Sequence, residues 1–180
     1  SLGRAEATGY GLCYFVEEML KKFKKDTFKN KRVIISGAGK VGTMAAEKVV
    51  QLGGKVVGMS DISGVIRDEN GIDLDLIRTL SLSNAAVMDK YRDYHPDATF
   101  SPTTKDIWKI PCDIAMPCAT QNEIYLDSAK ELVSKGCWLV AEGANMPTTI
   151  EATKYFQEND ILFAPGKASN AGGVAVSGLE

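Results

Sequence analysis

The stretch VIISGAGKVGTMAAEKVV, residues 33–50, constrains this chain more than any other. An apolar, β-rich run, RVIIS (32–36), leads straight into Gly37, Gly39 and Gly42; the small-residue pattern that follows stops at Gly53 and Gly54. KVVGMSD (55–61) is the next apolar run. Strand, glycine turn, helix and strand within about 30 residues make one βαβ unit, and such a crossover is right-handed. Each glycine has a task in that unit. Gly37 makes the tight turn out of the strand, Gly39 lets the backbone approach a pyrophosphate, and Gly42 lets the helix pack closely on the sheet. The helix start then offers N–H groups and the positive end of its dipole to an anion. The fingerprint also asks for an acid at the end of the second strand, about 20 residues on. Asp61 lies 19 residues after Gly42. A carboxylate there accepts from ribose hydroxyls and favours NAD, because the extra phosphate of NADP would stand beside a negative charge; Arg67 is the nearest cation that could reverse this.

The rest of the chain repeats the alternation. Residues 7–24 carry Tyr10, Tyr14, Phe15, Met19, Leu20 and Phe23 at near-helical spacing. GVIRDENGID (64–73) holds an Asn-Gly turn and reads as a small hairpin. One or two helices occupy 73–94, and residues 95–111 are loop-like with short extended pieces. CDIAMPCA (112–119) is a strand running into Pro117, 126–136 a helix stopped by Gly136, and CWLVAEGAN (137–145) a strand. MPTTIEATKYFQEND is a helix with proline near its first turn. ILFAPG (161–166) is a last strand, and NAGGVAVSGLE begins another helix. Strands alternating with helices imply an α/β fold: a doubly wound, mostly parallel sheet with helices on both faces, in one domain spanning 1–180.

Composition excludes several classes. A net charge of −2 with no long basic run argues against nucleic acid and anionic membranes. The densest basic stretch, Lys21 to Arg32, closes a helical pattern and suits the C-terminal end of its dipole. No apolar stretch is long enough to span a bilayer and no signal peptide opens the chain, so a cytoplasmic protein is expected. Cys13, Cys112, Cys118 and Cys137 lack metal or CxxC spacing and read as reduced, mostly buried residues. His95 is the single histidine and precedes a proline, which argues against a histidine-based triad or metal site and for a surface loop. The chain opens without methionine and stops inside an apolar helical pattern, so a piece of a longer chain is expected.

Several motifs add up: ATGYG (7–11), GAGKVG (37–42), SDISG (60–64), PCATQNE (117–123), EGANMPTT (142–149) and APGKASNAGGVAVSGLE (164–180). Together they resemble the cofactor-binding domain of hexameric glutamate dehydrogenases of the small bacterial and fungal type, over Arg4 to Glu180. The resemblance implies a Rossmann-like domain that binds NAD or NADP, within an enzyme that reversibly deaminates L-glutamate to 2-oxoglutarate and ammonia. It implies cofactor contacts from Thr8, from Gly37, Ala38, Gly39, Lys40 and Val41, from Asp61, from Ala119 and Thr120, and from Asn145 and Asn170. Val174 and Ser177 would line the pocket for the glutamate side chain, with Ser177 donating to its γ-carboxylate. The family's proton-transfer residues lie in a domain outside this chain, so no catalytic residue and no metal ligand is assigned here and the piece alone is expected to be inactive. The whole enzyme would be a homohexamer built mainly by the other domain, which leaves the piece free to be monomeric.

Two departures bear on the cofactor. Lys40 stands where relatives often have asparagine, and could face a pyrophosphate or water. The segment SLSNAAVMDK (81–90) has only Lys90 as a cation where NADP-linked relatives tend to be basic. The subtype leans to NADP, Asp61 and the missing cations to NAD, and the preference stays open. Two other readings stand beside this one: a dehydrogenase of another amino acid, and a stand-alone dinucleotide-binding module.

Overall fold

The computed structural model describes residues 2–166, with side chains from Thr8 onward. Helix α1 (Leu2–Met19) continues as one wide turn over Leu20–Lys24, and Lys25 closes it in the left-handed region at φ 50°. Leu12, Cys13, Val16, Met19 and Leu20 recur at helical spacing and are buried, while Lys21, Lys22, Lys24 and Lys25 face water, as a solvated helix end should. Strand β1 (Arg32–Ser36), α2 (Lys40–Gln51) and β2 (Lys55–Asp61) form the βαβ unit. Then come β3 (Gly64–Arg67), α3 (Leu74–Ser81), the short α4 (Met88–Tyr91), β4 (Thr99–Ser101) and a 3₁₀ segment over Thr104–Lys109. The second half alternates β5 (Ile114–Pro117), α5 (Leu126–Ser134), β6 (Leu139–Ala141), α6 (Ile150–Glu158) and β7 (Leu162–Ala164).

The strands make one sheet in the order β4-β3-β2-β1-β5-β6-β7. Five of them run parallel; β3 and β4 add an antiparallel edge. β1 is central and buried on both faces, which explains its continuous apolar run. Alternation still divides its side chains: Val33 and Ile35 enter one core with α1, α2 and α4, and Ile34 enters a second core with Trp108, Leu132 and Phe156. The expected doubly wound α/β fold is therefore the one found. Among the described residues no helix is long and apolar enough to cross a membrane.

Three local expectations are corrected. The hairpin is not within 64–73: β3 pairs back on β2 with Asp61 opposite Gly64, so Ile62 and Ser63 form its turn. Ser63 donates its N–H and hydroxyl to Asp61 Oδ1 at 2.8 and 2.5 Å, a side-chain bridge that builds the turn inside what reads as strand end. The Asn70-Gly71 turn comes after β3, where Asp68 Oδ1 accepts from Asn70 N and Gly71 sits at φ 94°. Second, the helix expected from Met146 begins at Ile150, with Pro147 just ahead of it; Thr149 caps that helix, its side chain accepting from Ala152 N. Third, the strands expected over 112–119, 137–145 and 161–166 are only three or four residues long: Ile114–Pro117, Leu139–Ala141 and Leu162–Ala164. The helix expected over 170–180 lies outside the described residues.

The cysteines are all free, and Cys13, Cys112 and Cys137 are buried, with Cys118 half-buried. His95 lies in a half-exposed loop as expected, yet it is not idle: its ring stacks on Tyr91 and its Nε2 lies 2.8 Å from Asp73 Oδ2.

Candidate functional site at the carboxyl ends of the strands

Strand order reverses between β1 and β5, the topological switch point where open α/β sheets bind ligands. The two strands end side by side, Ser36 opposite Pro117. After β1, the N–H groups of Gly37 and Ala38 both donate to Ser60 O, at 3.0 and 2.9 Å, which ties the glycine turn to the end of β2. Gly37 has φ 81°, and a Cβ on it would lie 2.6 Å from Ala119 Cα in the turn after β5. A Cβ on Gly42 would collide with the carbonyl oxygen of Gly37. Gly39 differs: a Cβ there would meet nothing within 4 Å, so this backbone faces open space. The first helical bond of α2 runs from Thr43 N to Gly39 O, so the N–H groups of its first turn have no acceptor within the helix, and the turn starts beside Gly39, which lines the cleft. Lys40 is exposed at this helix start.

The cleft has a volume of about 530 Å³. Gly37, Ala38, Gly39, Asp61, Ala119 and Thr120, six of the residues expected from sequence, line it together. The cleft is lined as well by Ile62, Lys105, Trp108 and Tyr125, none of which sequence reasoning singled out. Lys105 and Trp108 sit on the 3₁₀ segment, inside a stretch that reads as loop, and only the crossing of that segment over the second core brings them here.

Glu123 was missed as well. Its carboxylate lines the cleft, and Oε2 accepts from Ala119 N at 2.9 Å and Thr120 N at 3.1 Å. It shapes the turn that the resemblance assigns to the cofactor. Burial pushes its carboxyl above the ordinary glutamate range, against the lowering effect of Ser36 and the two amides. The acid three residues after Thr120 was the available signal, a side chain placed to satisfy the N–H groups of its own turn.

Asp61 stands at the end of β2 as expected, but its acceptors are in use. Oδ1 accepts from Ser63 N and Oγ, and Oδ2 accepts from Val87 N at 2.6 Å and Met88 N at 3.2 Å. A carboxylate has about four acceptor positions, so the chain itself fills them. Arg67 is not brought near it: in the β2–β3 ladder it sits opposite Gly58, three positions away, and its Nε donates to Glu69 Oε2 at 2.6 Å. Lys90 Nζ donates to Asn84 Oδ1 at 2.8 Å. Lys105 is the cation on the cleft wall, paired with Asp127 at 3.2 Å in an exposed position.

Of the other expected residues that are described, Thr8, Lys40, Val41 and Asn145 are not among those lining the cleft. Thr8 precedes Gly9, whose Cβ would be 2.9 Å from Met44 Cβ and 3.0 Å from Val41 O, so the lack of a side chain lets α1 lie directly on the start of α2. Val41 belongs to that same first turn. Asn145 is exposed on the loop after β6. That loop is locked to the turn after β5: Gly143 N donates to Pro117 O, Asn122 N to Met146 O and Ile124 N to Pro147 O. Glu142, buried at 6% exposure, ties the loop down by accepting from Thr148 N at 3.2 Å and Gly166 N at 2.9 Å. Burial raises its pKa too. Asn170, Val174 and Ser177 lie outside the described residues.

A glycine turn and helix start at the switch point of a doubly wound sheet, beside an open cleft, define a Rossmann-like α/β fold. The family model of glutamate/leucine/phenylalanine/valine dehydrogenase matches residues 1–180, and the chain belongs to that family. It is 49% identical over 181 residues to the NADP-specific glutamate dehydrogenase of Escherichia coli, and 50% identical over 183 residues to the glutamate dehydrogenase of Bacteroides thetaiotaomicron. Each comparison covers 100% of this chain and 40% of the relative, so the chain spans about two fifths of the length of these relatives. Among solved structures, Plasmodium falciparum glutamate dehydrogenase superposes with a TM-score of 0.83 at 40% identity, over 98% of this chain and 38% of that one.

Proposed function

We propose that residues 1–180 are the dinucleotide-binding domain of a glutamate dehydrogenase, within a longer protein that reversibly deaminates L-glutamate to 2-oxoglutarate and ammonia using NAD or NADP. The observation that carries this reading is the open backbone of Gly39 at the start of α2, set in a cleft at the β1/β5 switch point. The N–H groups of Gly39, Lys40 and Val41 would hold the pyrophosphate, with Gly37 and Ala38 shaping the turn. Ala119 and Thr120, held by Glu123, would bracket the cofactor from the other side. Thr8, Asn145 and Asn170 would orient the nicotinamide end, and Val174 and Ser177 would meet the glutamate side chain. When bound, the cofactor supplies the hydride acceptor. The chain's own residues position it, and closure of a second domain over the cleft would exclude water. The proton-transfer residues would belong to that second domain, and a homohexamer in the cytoplasm is part of the same reading.

Calorimetric titration of the purified protein with NADH and NADPH tests it. Binding of at least one, weakened at least tenfold by Gly39→Ala, is expected. A folded protein that binds neither overturns the reading, and steady oxidation of glutamate by residues 1–180 alone overturns the assignment of the chemistry to another domain.

A further inference from the structure

Outside the cleft, the structure places a pair of unused nucleophiles side by side. Cys112 lies two residues before β5 and Cys137 two residues before β6. β5 and β6 pair in parallel with Ile114 opposite Leu139 and Ala115 opposite Val140; the same register carried two residues back sets Cys112 opposite Cys137. The backbone there remains in contact. Trp138 N donates to Asp113 O at 3.0 Å, and a Cβ on Gly136 would lie 3.9 Å from Cys112 O. Neighbouring strands run roughly 4.8 Å apart, inside the span of roughly 4.4–6.8 Å between Cα atoms that a disulfide bridges. Both side chains enter the same core, where the Cys137 thiol donates to Leu139 O at 3.4 Å. They sit at the amino ends of their strands, the edge of the sheet opposite the cleft.

We propose that Cys112 and Cys137 are a dithiol modification site, oxidised by hydrogen peroxide to a disulfide that ties the start of β5 to the start of β6. The class of oxidant follows from access. Cys112 is 5% exposed and Cys137 3%, beside the exposed Gly136 at φ 96°. A small neutral peroxide reaches such sulfurs; a bulky charged disulfide does not. The neighbouring Cys137 and burial hold the Cys112 proton in place, with the Arg32 guanidinium opposing and Asp113 reinforcing that effect. Cys137 sulfur therefore attacks first. It bonds to one peroxide oxygen, the O–O bond breaks, and the leaving hydroxide takes up the thiol proton as water. Cys112 sulfur then attacks the sulfenic sulfur, the S–O bond breaks, and the departing hydroxide leaves with the Cys112 proton as a second water. Two thiols are oxidised to one disulfide and one peroxide is reduced to two waters.

The test is peptide mapping of the purified, fully reduced protein after graded doses of peroxide, quenched in acid, alkylated in denaturant and digested without reduction. A cross-linked peptide joining Cys112 to Cys137, rising with dose and lost on treatment with dithiothreitol, is expected, while Cys13 and Cys118 remain alkylated. In a folded Cys112→Val variant, Cys137 should stop at a dimedone-trappable sulfenic acid. The proposal is overturned if Cys112 and Cys137 stay alkylated at doses that oxidise the exposed Met146, if either passes to sulfinic acid without a cross-link, or if Cys13 and Cys118 form the bridge instead.

Discussion

Asp61 stands where it was expected and carries a structural task besides. The residue expected to read a ribose is also the anchor of Val87 and Met88 and of the β2–β3 turn. An amide there keeps one oxygen and turns its other atom into a donor facing N–H groups. Asp61→Asn is expected to lower stability by about 1–3 kcal/mol in urea unfolding and to weaken NADH and NADPH by similar factors. A changed NADH/NADPH ratio at unchanged stability would instead tie the carboxylate directly to the ribose. Arg67, paired with Glu69 in an exposed position, should contribute under about 1 kcal/mol, and Arg67→Ala should leave the ratio of the two affinities unchanged. Glu142 is the residue for a pH test. Its folded pKa is raised by burial, so the folded chain binds that proton more tightly than the unfolded one. The penalty for its charge is absent below the unfolded value of 4.5 and grows as pH rises through the raised folded value. Glu142→Gln gives up an acceptor for one of two buried N–H groups, so it should destabilise, and by more at about pH 4 than at about pH 7 in urea melts.

Among the elements, the β1–α2–β2 unit was the most legible, because every part of it is local. The glycines lie within six residues of one another and the acid closes the second strand. Their different surroundings separate stability from binding. Gly42→Ala drives a methyl into the carbonyl of Gly37 and should cost about 3 kcal/mol or more, seen as a loss of folded protein on denaturant titration. Gly39→Ala adds a methyl to open space and should leave stability within about 1 kcal/mol while cofactor affinity falls. Equal stability losses in both variants would contradict the assignment of Gly39 to an approaching ligand. The hairpin was misplaced for a complementary reason. Asn-Gly is a strong local turn signal, and here it follows β3, whereas the reversal between β2 and β3 depends on Ser63 binding the Asp61 side chain. A carboxylate serving its own turn leaves no mark in hydrophobic periodicity.

On the scale of the whole molecule, the site joins residues that are far apart in the chain. Gly37 touches Ala119, and Trp108 and Lys105 form a wall although their segment reads as irregular. Alternating strands and helices imply the sheet, but which strand lies beside β1 follows from the crossover after β4, which periodicity does not encode. That is why the glycine turn and the PCAT turn were each recognised while their wall partners were not. Since both faces of the sheet have their own core, residues 1–180 carry most of what a folded unit needs. Expressed alone, they are expected to give a cooperative urea transition with dinucleotide raising its midpoint; a cooperative transition whose midpoint is indifferent to saturating NADH and NADPH would speak against the dinucleotide site.

The close contact of α1 with α2 gives two identical letters unlike fates. Gly9 and Gly11 stand two residues apart in one helix, and an added Cβ would be crowded at the first by Met44, Val41 and Ala45, but at the second would touch nothing. In a saturation mutational scan under selection for the folded protein, position 9 should read as a single permitted residue and position 11 as an open one. An alphabet count alone would treat the two glycines of ATGYG as one signal, where the geometry divides them into a constraint and a spare.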